Sequence, residues 1–120
     1  MNKKLELDLG EKTYQLWFNN YAIAELQKMY GVKQNEIMNN IIKRGQENYF
    51  LLISDLVKAG IKGYALAKEE TTPKINIQEL VGEADQNELV KILEVFYDVM
   101  GVNIEKDDKK KVKKSPKVKS

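Results

Sequence analysis

The N-terminal segment does most to restrict the fold. Leu5, Leu7 and Leu9 alternate with Glu6 and Asp8. After Gly10, Glu11 and Lys12, the residues Tyr14, Leu16 and Phe18 alternate with Gln15 and Trp17. Period-two alternation on both sides of a glycine-containing polar turn predicts a β-hairpin. One face carries the three leucines, Tyr14, Leu16 and Phe18. Trp17 falls on the other face, as a lid over something else or as a partly exposed aromatic. A lone hairpin is marginal in water, so its apolar face needs a cover.

The rest of the chain supplies helices for that purpose. Asn19 and Asn20 are good N-caps. Residues 21–30 follow, with Ile23, Leu26, Met29 and Tyr30 on one stripe, and Gly31 ends the segment as a C′ glycine does. This helix is the expected cover. Residues 34–43 carry Ile37, Met38, Ile41 and Ile42 at helical spacing, with Arg44 and Gly45 as a break. Residues 46–59 give the strongest helical pattern, with Tyr49, Phe50, Leu52, Ile53, Leu56 and Val57 on a broad apolar face closed by Gly60. Residues 61–68 are ambiguous, and residues 69–74 read as a loop. Asn76 with Glu79, and Asp85 with Glu88, read as two capping boxes. The first opens a short helix to about Val81. The second opens a final helix to Met100, with Leu89, Ile92, Leu93, Phe96, Tyr97 and Met100 inward and Gly101 as its stop. The expected fold class is mainly α: an N-terminal β-hairpin, about five helices, and a disordered basic C-terminal tail.

Composition narrows function by what is missing. Among 120 residues there is no histidine and no cysteine. That excludes thiolate nucleophiles, disulfides, thiolate zinc sites, histidine-ligated metals and serine–histidine triads. Carboxylate chemistry survives, but the adjacent pairs Glu69–Glu70 and Asp107–Asp108 lie in polar, loop-like sequence, where solvated charge is the default. No metal-ligand spacing and no glycine-rich phosphate loop occurs, so no cofactor is expected. Gly60 and Gly63 superficially match a Gly-x-x-Gly nucleic-acid clamp. Without following strands, they read instead as relaxing a helix–helix turn.

Charge is unevenly placed. The net charge is +2, yet residues 105–120 hold eight lysines against three acids, and residues 1–104 hold 12 basic groups against 15 acidic ones. The division is a folded body at residues 1–104 and a lysine-rich tail at 105–120, expected to be disordered. The tail could attract polyanions, but it lacks the interleaved aromatics of a base-stacking groove. The start of the chain is not a signal peptide, and no apolar run approaches a membrane span. The candidate partner-binding set is the bulky apolar content of the later helices: Tyr49, Phe50, Ile53, Val57, Phe96, Tyr97 and Met100. This is more than one short hairpin covers.

The order of these elements has a precedent. LELDLGEKTYQLWF (residues 5–18) runs into NYAIAELQKMYG (20–31), then FLLISDLVKAG (50–60), then IQELV (77–81) and the final amphipathic helix. Over residues 5–101 this resembles the tail assembly chaperones of long, non-contractile-tailed bacteriophages, particularly those of Gram-positive hosts. The resemblance implies a small, mainly helical, non-catalytic protein of the host cytoplasm. It would bind the tape-measure protein, keep its apolar helices in solution, help recruit the tail-tube protein, and be absent from the mature virion. Some members self-associate, so a homo-oligomer is a further expectation. Nucleic acid and membrane are not expected partners. Many such genes also carry a programmed −1 frameshift near the end of the first frame. Lysine codons are A-rich, so the run at residues 109–114 is where a slippery site would lie. The rival readings are a nucleic-acid-binding phage regulator using the basic tail, and a small structural virion protein.

Overall fold

The computed structural model describes residues 3–9 and 12–101. The turn residues Gly10 and Glu11, the side chain of Leu9 and the lysine tail lie outside the described residues, and with them the expected boundary at residue 104. The described chain is mainly helical. Strands β1 (Lys3–Leu9) and β2 (Lys12–Phe18) pair antiparallel, with Leu5 opposite Leu16, Leu7 opposite Tyr14 and Lys4 opposite Trp17. Lys12, read as part of the turn, already belongs to β2. Five helices follow: α1 (Asn20–Tyr30), α2 (Ile37–Glu47, entered through a 3₁₀ turn at Gln34–Glu36), α3 (Tyr49–Ala67), α4 (Ile77–Gly82) and α5 (Gln86–Val99). Among the described residues no helix is long and apolar enough to cross a membrane.

The hairpin faces divide as the alternation requires. Leu5, Leu7, Leu16 and Phe18 are buried and Tyr14 is partly so. The other face is polar, with Gln15 donating to Glu6 and the Thr13 hydroxyl donating to Asp8, each at 2.8 Å. Lys4 Nζ lies 4.3 Å from the Trp17 ring centroid, a cation–π contact over an indole that is half-buried.

The cover differs from expectation. α1 packs mainly on α3, while α3 lies against β2 and α5 against β1. The reason is visible in two glycines. α3 does not stop at Gly60; it runs through Gly60 and Gly63 to Ala67. A Cβ on Gly60 would sit 2.9 Å from Leu16 Cβ. One on Gly63 would collide with the Trp17 carbonyl oxygen and come within 2.7 Å of Asn19 Oδ1. These glycines are neither a helix stop nor a relaxed helix–helix turn. They let β2 lie directly on the helix, which repays the ~1 kcal/mol each costs in a helix interior.

Asn19 locks the same contact. It is buried; its Oδ1 accepts from Ala22 N–H and caps α1, while its Nδ2 donates to the Gly63 carbonyl, both at 3.1 Å. Two further ties join α1 to α3. Lys62 pairs with the buried Glu25 at 3.1 Å. The Tyr30 hydroxyl donates to Asp55 at 2.9 Å, and the same carboxylate oxygen accepts from Arg44 Nε of α2 at 2.7 Å. Burial, then the Asp55 charge, hold the Tyr30 phenol well above its ordinary range. Arg44 and Gly45 thus lie inside α2 rather than breaking it, and Asn48 caps α3 by accepting from Leu51 N–H.

Candidate functional site

α3 and α5 carry the expected partner-binding residues, and the fold sorts them into two groups. Ile53, Val57 and Phe96 have no exposed surface. Apolar faces turned toward the hairpin are removed from water first, and Phe96 meets Phe18 edge-on, with centroids 5.5 Å apart at 77°. These three belong to the core and are not reachable in the folded chain. Tyr49, Tyr97 and Met100 are half-buried against that core, and Phe50 is 37% exposed. As surface contacts, the set reduces to these four.

Local structure explains their position. Tyr49 and Phe50 occupy the first turn of α3, directly after the Asn48 cap. Tyr97 and Met100 lie at the end of α5, one helical step apart. Gly82, the last residue of α4, brings that helix against the Phe50 ring; a Cβ there would touch it at 3.4 Å. Burial raises the phenol pKa values of Tyr49 and Tyr97, and the Tyr97 phenol adds to the rise at Tyr49. The Phe96 and Tyr97 ring centroids are 6.5 Å apart. Val90 and Leu93 continue the apolar surface along α5, Val90 being exposed. Chemically this is an aromatic and thioether face, suited to an apolar helix.

The rim is acidic, which the charge total over residues 1–104 conceals. Residues 75–101 contain six carboxylates and one lysine. Glu88 is engaged by Lys91 and by the Asp8 N–H of β1, and Asp98 by Lys3 at 2.6 Å. The predicted second capping box is therefore not made: Asp85 precedes α5 without a side-chain cap, and Glu88 reaches to the hairpin instead. The first is made in part, with Asn76 accepting from Glu79 N–H at 3.1 Å. Glu79, Glu83, Asp85 and Glu94 have no ion-pair partner among the described residues. A charge window over α4 and α5 would have found this rim. Other exposed apolar residues, Tyr21 on α1, Ile42 on α2 and Leu66 on α3, lie on other helices or at the opposite end of α3. Of the residues at helical spacing on α2, Ile37 and Ile41 are buried while Ile42 is 48% exposed.

Among the described residues, no group of three or more acidic side chains is arranged to hold a metal ion. The chain matches no family model, no curated protein and no solved structure.

Proposed function

We propose that this chain is a non-catalytic tail assembly chaperone of a long, non-contractile-tailed phage. It binds apolar helical segments of the tape-measure protein and releases them as the tail tube forms. The observation that supports this reading is the face formed by Tyr49, Phe50, Tyr97 and Met100. It is apolar, partly open, and rests against the buried core. The order of hairpin and helices resembles that of such chaperones. A tape-measure chain exposes long apolar helices before assembly, and a helix-in-groove contact with aromatic and methionine side chains would shield them.

On this reading the protein acts in the host cytoplasm, recruits the tail-tube protein, works as a monomer or homo-oligomer, and is absent from the finished virion. The test is coexpression of the tape-measure protein with and without this chain. The expected result is tape-measure protein in the soluble fraction only when the chain is present; equal solubility in both contradicts the reading. Abundant chain in purified particles, measured by mass spectrometry, would favour a structural virion protein. The frameshift reading of the lysine run requires a slippery heptamer and an overlapping −1 frame in the gene.

A further inference from the structure

The acidic rim and the lysine-rich segment are adjacent in sequence and opposite in charge. α5 ends at Val99, and Gly101, in the left-handed region at φ 79°, turns the chain out of the helix. Residues 102–120 follow directly, and 105–120 carry eight lysines against three acids. The face that precedes them, residues 75–101, carries six acids against one lysine, whereas residues 1–74 are nearly balanced at eleven basic and nine acidic groups. Among the described residues this acidic excess lies on α4, which meets the Phe50 ring through Gly82 between Glu79 and Glu83, and on α5, where Glu94 precedes Tyr97 by one helical turn.

We infer that residues 105–120 dock on the α4–α5 face of their own chain, their lysines against Glu79, Glu83 and Glu94, and cover the aromatic surface until a client displaces them. Reach is sufficient. The 14 residue-to-residue steps from Gly101 to Ser115 span up to about 46 Å when extended, whereas the 14 residues of α5 measure about 21 Å. Each exposed ion pair is weak. A tethered segment, however, meets its face at an effective concentration of about millimolar, and several weak pairs then act together. Val112 and Val118 are the apolar residues of this segment. The inference rests on the proposed function only in naming what the tail competes with; the docking itself is tested without any client.

The full chain has no cysteine, so Ser115→Cys gives a single site for a nitroxide spin label. Paramagnetic broadening of the backbone amides is then read by NMR at low ionic strength. The expected result is strong broadening across residues 79–83 and 90–98, with little on the polar face of the hairpin. It should fade in 1 M salt, where the screening length falls to about 3 Å, and in the triple variant Glu79→Gln, Glu83→Gln, Glu94→Gln. Broadening confined to the last turn of α5, or unchanged by both salt and the triple variant, overturns the inference. A mixture of spin-labelled, isotopically silent chains with unlabelled ¹⁵N chains should show no broadening. Broadening there means that the tail docks on a second copy, which also overturns it. Tape-measure coexpression can succeed or fail independently of these outcomes, so the two proposals are judged apart.

Discussion

The two sides of α3 are built differently. Along its C-terminal half, β2 lies on Gly60 and Gly63 at backbone distance, and Asn19 bonds to a helix carbonyl across the contact. At its N-terminal end, Phe50 meets Gly82 and Tyr49 rests against the core, and both leave part of themselves in water. The first region has no room for an added methyl group. The second is a set of side chains resting on the core with one side open to water. A close-packed contact specifies the fold, whereas half-covered aromatics retain area to bury against something else.

That contrast is open to attack at several points. The largest expected effect is at Gly63. Gly63→Val forces side-chain atoms into the Trp17 carbonyl and Asn19, and should cost about 3 kcal/mol or more, read as loss of the cooperative urea transition. A small loss would mean the hairpin is not seated on α3 as described. Next is Asp55→Ala, which leaves the Tyr30 hydroxyl and Arg44 without their shared acceptor. Both groups are partly open to water, so the cost should be about 1–2 kcal/mol. At the open end, Phe50→Ala should cost about 1 kcal/mol in the same measurement while abolishing most tape-measure solubilisation. Equal losses of stability at Phe50 and Gly63 would erase the distinction between the two regions.

Alkali tests the aromatic contacts together. Tyr30, Tyr49 and Tyr97 are all held protonated in the folded chain. The unfolded chain releases its phenol protons first, near the ordinary value of 10.0. Below that pH both states are protonated and nothing is lost. Above it the unfolded state binds fewer protons and stability falls. The urea midpoint should therefore be level from pH 7 to 9 and decline above about 10, and Tyr30→Phe should flatten part of the decline.

The smallest effect concerns how α3 ends. Glu69 adopts φ 58°, and the Glu69 and Glu70 N–H groups donate back to Leu66 and Ala65 in a Schellman arrangement. Gly31 fills the equivalent left-handed position after α1 at φ 66°. Glu69→Gly should stabilise the chain by about 0.5–1 kcal/mol, visible as a small rise in Tm.

What the sequence could reveal was local. Alternation placed the hairpin and its inner face, and helical spacing found the five described helices, although it ended α2 too early, started α3 inside α2 and stopped α3 at Gly60. The reading failed where a residue's meaning lay far along the chain. Gly60 looks like a helix stop, and Gly60 with Gly63 like a relaxed helix–helix turn, because glycine usually punctuates helices; their reason is Leu16, Trp17 and Asn19, more than forty residues earlier. The site was half legible for the same cause. Aromatic bulk on the later helices pointed to Tyr49, Phe50 and Tyr97. Which ring lies inward depends on where the hairpin packs, so Phe96, Ile53 and Val57 could not be told from their neighbours. Glu88 followed the cap pattern but found Asp8 N–H instead, a partner that only the packing of α5 on β1 provides.

Hydrogen–deuterium exchange of the chain, alone and with an apolar helical segment of the tape-measure protein, addresses the central claim most directly. The account predicts added protection at residues 49–52, 79–83 and 93–101, with the polar hairpin face of Lys4, Glu6 and Gln15 unchanged. Protection centred on the hairpin face, or none anywhere in the presence of saturating segment, would contradict it.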